Sequence, residues 1–228
     1  MKLLLTVATN MEIKMFLTEC KFVKAISDNF KTYRFGSCEF DLLITGIGTT
    51  FTTFHLTQAL HRDNYELVLN PGIAGSLTDD LPVGEVVNVV DEEFADLGTE
   101  EEDGFLTLFD GGFMNPDEFP FSNRILKADK LPYARHLQRV KGITANISHG
   151  RKSSINALKA RFSGQVLTME GAAVFYVCRW MGVPCLQLRA VSSFVAPRDV
   201  AGWDIPLALD NLKNTLTALM QEINGRVS

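Results

Sequence analysis

The stretch "LNPGIAGSL" (Leu69–Leu77) decides how the chain is read. A short apolar run, Glu66 to Leu69, ends there, and Gly72 and Gly75 follow with small Ala74 between them. Such a sequence makes a tight floor that can lie flat against a planar group or a sugar, because glycine lets the backbone approach closely. The same arrangement stands in "TGIGTT" (Thr45–Thr50), where an apolar run gives way to two glycines and then a helical pattern. Free N–H groups at that helix start could face a ligand. Alone, the segment reads equally well as a structural turn. It is no Walker loop, and it lacks the third glycine of a dinucleotide fingerprint. Two strand-end glycine segments in one open α/β sheet fall at its carboxyl edge, where ligands bind in such sheets.

Working outward, further apolar runs predict buried strands over 2–7, 40–45, 84–90, 142–147, 166–168 and 184–191. They are continuous instead of alternating, so helices are expected on both faces. Helical patterns fall between them at 10–19, 50–62, 153–161, 171–181 and 206–223. This order predicts a single α/β domain over 1–228, a three-layer α/β/α sandwich. The segment 91–132 stands apart, acidic at first ("DEEFADLGTEEEDG") and then rich in glycine and phenylalanine. Two readings stay open for it: a solvated excursion, or an ordered loop that packs on a second copy or roofs a pocket.

The 228 residues are 46% hydrophobic and 21% charged, the composition of a globular protein with room for a sizeable core. A net charge of −5 argues against nucleic acid as a partner. No apolar stretch is long enough to span a bilayer, and "MKLLLTVATNMEIKMF" reads as a first strand, not a signal peptide. The four cysteines lack zinc-ligand spacing. Cys178 and Cys185 sit in apolar surroundings and are expected to be buried free thiols of a reducing cytoplasm. No cofactor and no metal are expected.

Three further stretches can carry chemistry. Glu12 opens the helix after the first strand, where an acid either complements the macrodipole or serves as a general base toward water. In "LTMEGAAVFY" (Leu167–Tyr176), Thr168 is the expected N-cap, with Met169 and Glu170 at the first two helical positions. The small residues that follow let this helix end come close to another body. Glu170 could accept two hydrogen bonds from vicinal hydroxyls, with Met169 packing on an apolar face. Finally, "LRAVSSFVAPRDVAGWDIPLAL" (Leu188–Leu209) ends a buried strand in Ser192 and Ser193, then brings Arg198, Asp199 and Trp203 before a helix started by Pro206. Arg198 and Asp199 read either as recognition groups or as a surface ion pair.

Glu12, "TGIG", "NPGIAG", "MEGAA" and "RAVS", in this order, resemble the nucleoside phosphorylase/hydrolase superfamily. The resemblance implies that superfamily's α/β/α fold with a central mixed sheet, no cofactor, a small-molecule nucleoside substrate and a homodimer or higher homo-oligomer. Within the superfamily, the tail and "TANISHG" (Thr144–Gly150) are similar to futalosine hydrolases, more than to methylthioadenosine/S-adenosylhomocysteine nucleosidases. That likeness implies hydrolysis of futalosine to hypoxanthine and dehypoxanthine futalosine. Glu12 would activate water, Met169 and Glu170 would clamp the ribose, and Gly48, Ile73, Asn146, Ile147, Arg198 and Trp203 would line the substrate site.

Two positions depart from relatives. Phosphorylases of the superfamily carry a phosphate-holding arginine where this chain has neutral Asn70, which favours water as nucleophile. Adenine-releasing nucleosidases carry an aspartate where this chain has Ser193, and a hydroxyl cannot protonate a leaving purine at neutral pH. Three readings follow: Ser193 hydrogen-bonds purine N7, Asp199 supplies the proton, or catalysis is impaired and the chain only binds nucleosides.

Overall fold

The computed structural model describes residues 1–102, 104–197 and 202–227. Its strands are β1 (Leu3–Val7), β2 (Lys21–Ser27), β3 (Phe30–Phe35), β4 (Cys38–Ile44), β5 (Leu67–Ser76), β6 (Val86–Phe94), β7 (Gly98–Glu101), β8 (Gly104–Thr107), β9 (Leu126–Lys127), β10 (Arg139–Thr144), β11 (Val166–Thr168) and β12 (Cys185–Phe194). The helices are α1 (Asn10–Leu17), α2 (Thr49–Arg62), α3 (Lys152–Arg161), α4 (Gly171–Met181) and α5 (Ile205–Val227). None of the described helices is long and apolar enough to cross a membrane.

The central sheet is mixed, in the order β11-β10-β6-β12-β5-β1-β4-β3-β2. β1 shows why the apolar runs are continuous. Leu3, Leu5 and Val7 pack with Ile13 and Phe16 of α1 and with Leu212, Leu216 and Met220 of α5. Leu4 joins the opposite layer, with Leu56 of α2 and Val174 and Phe175 of α4. With helices over both faces, every position of the strand is buried, and all but Thr6 are apolar.

The other half of the sheet departs from the simple sandwich. β11 also pairs antiparallel with the end of β5, through Val166–Ser76 and Leu167–Gly75, so β5, β12, β6, β10 and β11 close on themselves. β1 accompanies β5 only over Leu67–Leu69. From Asn70 onward β5 leaves β1 and turns into the closed half. Pro71 follows at once, a residue with no N–H to give a ladder, placed where the β1 ladder has ended. A cleft opens at this divergence.

Several boundaries therefore differ from the sequence reading. "NPGIAGS" is strand, not a strand-end turn, and β12 and β6 run on through Phe194 and Phe94. The β2–β3 hairpin was not anticipated, because β2 is exposed along its length and β3 is only partly buried. Its Lys21 and Lys24 charge the free edge against pairing with another chain.

Neither open reading of 91–132 describes it fully. Its first residues complete β6, and β9 pairs back on β6. Its aromatics largely pack on the chain's own α4: Phe121 lies 6.1 Å from Tyr176, and Phe119 meets Trp180 edge-on at 4.8 Å. Phe113 projects outward. Cys178 and Cys185 are buried and free, as expected. Burial and the neighbouring Cys185 push the Cys178 thiol well above its usual range.

Candidate active site

Four elements meet at the cleft where β1 and β5 part. Thr9 is the N-cap of α1 and Glu12 is its third helical residue. Glu12 Oε2 accepts the Thr9 N–H at 3.0 Å, so the acid does serve the helix start. Its other oxygen, Oε1, crosses the cleft and accepts the Ile73 N–H at 3.2 Å. The helix-start reading of Glu12 holds, and its second oxygen faces the divergence. Gly72 lies directly beneath. A Cβ there would sit 2.8 Å from Glu12 Oε1 and 3.1 Å from a guanidinium nitrogen of Arg189, so only glycine fits without movement.

On the opposite wall, Glu170 is the N-cap of α4 rather than its second residue. Its carbonyl accepts the Val174 N–H, and the helix proper begins at Gly171. Thr168 still caps, because its hydroxyl accepts the Gly171 N–H at 3.1 Å. The helix starts later than the sequence suggests because two hydroxyls on neighbouring strands, Thr168 and Thr144, take its first amides. Glu170 Oε1 accepts the Gly48 N–H at 2.8 Å, which ties the starts of α4 and α2 together. Gly48, at φ 98°, is the N-cap of α2. Burial raises the Glu170 carboxyl above its usual range, with Glu12 adding to the rise, while the Gly48 amide and Arg189 pull it down.

Arg189 was visible in "RAVS" but drew no role from the sequence. It is among the most buried side chains of the molecule, 2% exposed. On β12, Leu186, Leu188 and Ala190 pack in the α5 layer, which turns Gln187 and Arg189 to the other face. The guanidinium donates to the Asn70 carbonyl at 2.7 Å, to Asn70 Oδ1 at 2.5 Å and to the Leu188 carbonyl at 2.9 Å. Burial lowers its pKa, and Glu12, Glu170 and Glu92 act against that. A buried charge needs such partners, and a lone arginine inside an apolar run is the signal that could have found it. Asn70 bridges the divergence from below, giving its Nδ2 to the Thr6 carbonyl at 2.8 Å.

The remaining expected residues scatter more widely. Asn146 Oδ1 accepts from the amide and hydroxyl of Thr49, both at 2.9 Å, so it holds the start of α2. Ile147 lies beyond β10, not at its end, and is 59% exposed. Met169 is half-buried between β11 and α4. Ser193 is buried on β12 opposite Gly75, next to an irregularity in the ladder. Trp203 is exposed, and the next residue donates its N–H to the Ser192 carbonyl at 2.9 Å, fastening the loop to the strand. Arg198 and Asp199 lie outside the described residues. Glu92 is a second carboxylate the sequence reading missed. It is fully buried on β6, concealed in an acidic run that looked solvated.

Carboxylates of Glu12 and Glu170 on two sides of the buried Arg189 guanidinium narrow the choice, and comparison with known proteins decides it. A family model described as the phosphorylase superfamily matches residues 2–223. The chain belongs to that superfamily. It is 36% identical over 185 residues to a futalosine hydrolase of Streptomyces coelicolor, covering 78% of this chain and 77% of the relative. Two solved structures share the fold. The futalosine hydrolase of Helicobacter pylori strain 26695 superposes with a TM-score of 0.79 at 20% identity, covering 97% of each chain. The methylthioadenosine/S-adenosylhomocysteine nucleosidase of Neisseria meningitidis, in complex with methylthio-immucillin-A, gives 0.81 at 16% identity, covering 97% of this chain and 99% of that one.

Proposed function

We propose that this chain hydrolyses the N-glycosidic bond of futalosine, releasing hypoxanthine and dehypoxanthine futalosine, as in the futalosine route to menaquinone. The observation that carries the reading is the 36% identity to a futalosine hydrolase over most of both chains. The geometry supports it. Glu12, with one oxygen anchored to α1, activates a water in the cleft. The water oxygen bonds to the anomeric carbon and gives a proton to Glu12 as the bond to purine nitrogen breaks; the electron pair leaves with the purine, which takes a proton from an acid or from solvent. Glu170, across the cleft, accepts from the ribose hydroxyls beside Met169, and its charge complements an oxocarbenium-like transition state. Gly48 and Ile73 would line the pocket, Asn146 would support its rim, and Ile147, Arg198 and Trp203 would bind the purine and its substituent. Ser193 hydrogen-bonds the departing purine, or Asp199 supplies the proton from the loop.

Water as nucleophile has a physical basis. Asn70 stands at the phosphate-holding position and is committed to Arg189 and Thr6. Arg189 itself faces three carboxylates, Glu12, Glu170 and Glu92, which repel an anion. In this reading the enzyme works in the cytoplasm without cofactor or metal, as a single domain over 1–228. It forms a homodimer or larger homo-oligomer. Exposed Ile47, Phe51 and Phe54, at and just beyond the start of α2, support pairing close to the cleft. The test is to offer purified protein futalosine and methylthioadenosine separately. Hypoxanthine from the first and little adenine from the second is expected, and adenine release alone would refute the assignment.

A further inference from the structure

Glu92 is used by no step above, yet it lies at the centre of a buried polar network in which Gln187 Oε1 is left without a hydrogen-bond partner. Its Oε1 accepts from Gln187 Nε2 at 2.7 Å, and its Oε2 accepts from the Thr144 hydroxyl at 3.0 Å. The Thr144 hydroxyl lies 3.0 Å from that of Thr168. Those two oxygens accept the first amides of α4, Ala172 N–H on Thr144 at 2.8 Å and Gly171 N–H on Thr168 at 3.1 Å. Gly171 is small because the carboxylate fills the space beside it: a Cβ there would stand 1.9 Å from Glu92 Oε1.

Counting protons gives this network a direction. Each hydroxyl has one proton to donate and already accepts a helix amide. With Glu92 ionised, Thr144 donates to Glu92 and Thr168 donates to Thr144, so every bond is made. With Glu92 protonated on Oε2, that proton points at Thr144, the Thr144 proton must turn to Thr168, and the Thr168 proton loses its acceptor. We propose that Glu92 is a positioning residue: its ionised carboxylate orients the Thr144 and Thr168 hydroxyls, which hold the first turn of α4 and thereby aim Glu170 at the ribose.

The inference rests on the reading of Glu170 as the ribose clamp. Burial pushes Glu92 up to about 7, with Glu170 adding to the rise and Gln187, Arg189 and Thr144 easing it. Arg189 on β12 and Glu170 on α4 are the charged groups that face it. The switch between the two hydroxyl arrangements therefore falls in the neutral range.

The test is Glu92→Gln in the full chain, followed by hydrogen exchange and kinetics. Faster amide exchange at Gly171 and Ala172 is expected at pH 8. With futalosine, the wild-type KM should fall as pH rises through about 7. The variant should show a flat profile, with KM about 2- to 10-fold higher at pH 8, the size of one net hydrogen bond, and with kcat changed less. Thr144→Val should reproduce the variant and Thr144→Ser should restore wild-type behaviour. Unchanged exchange at Gly171 and Ala172 overturns the proposal, whatever the activity. A wild-type protein inactive on futalosine would count against the function alone, because the exchange result still decides the positioning role.

Discussion

The two halves of the central sheet solve opposite problems with the same kind of strand. Where β1, β4 and the start of β5 run parallel between two helical layers, both faces are mainly apolar, and Leu3, Leu4 and Leu5 are all fully buried, with Asp41 the one buried carboxylate, held by Thr32 and Tyr65. Where β5 turns away and closes with β12, β6, β10 and β11, one face must receive the polar start of α4, and Glu92, Gln187, Thr144, Thr168 and Arg189 are buried there. The apolar half gives the molecule stability through area removed from water. The closed half holds charges in a dry setting where their directions are fixed, which is what a site needs. The cleft lies at the seam, with Glu12 reaching across from the apolar half and Glu170 and Arg189 standing on the other side.

This contrast breaks most sharply at Glu12. Glu12→Gln keeps the shape and the bond to the α1 start but removes the base. Its kcat should fall by about 100-fold or more, with little change in melting temperature. Unchanged turnover would remove Glu12 from the chemistry. Leu5→Ala, in the apolar half, should do the reverse. It should destabilise by about 2–5 kcal/mol in a denaturant titration, with kcat retained in whatever fraction remains folded.

A smaller effect should have the opposite sign. Glu92 carries a folded pKa raised from 4.5 to about 7, so its stabilising contribution is full below about 4.5 and is lost as pH rises through about 7. At 1.36 kcal/mol per unit that is on the order of 3 kcal/mol. Relative to wild type, Glu92→Gln should therefore gain stability as pH rises from 4.5 to 8, measured by denaturant midpoints. A constant difference across that range would show that the carboxylate bears no burial penalty. A loss at Leu5 that is the same at every pH, beside a Glu92→Gln difference that changes with pH, would set the two halves apart.

The same division explains what the sequence could say. In the apolar half, "LLLTV" and "FDLLI" announce buried strands, since helices on both faces leave few polar positions, here Thr6 and Asp41. In the closed half, β5, β6 and β12 each begin apolar and continue through polar or glycine-rich residues, "NPGIAGS", "DEEF" and "SSF". Read locally, those residues end a strand. The pairing of β5 with β12 and β11, and of β6 with β10, makes them strand, and these are long-range events. Glu12 and Glu170 were legible because helix starts mark themselves. Arg189 and Glu92 were not, because their partners come from strands far away in the chain. The β2–β3 hairpin escaped for the opposite reason, an exposed edge with little apolar signal.

The charges around Arg189 are proposed to admit water and not phosphate. The direct measurement is product analysis by mass spectrometry after turnover of futalosine, with and without inorganic phosphate. The account predicts equal rates and the free sugar product, dehypoxanthine futalosine, in both. A rate that depends on phosphate, with a sugar 1-phosphate as product, would contradict it.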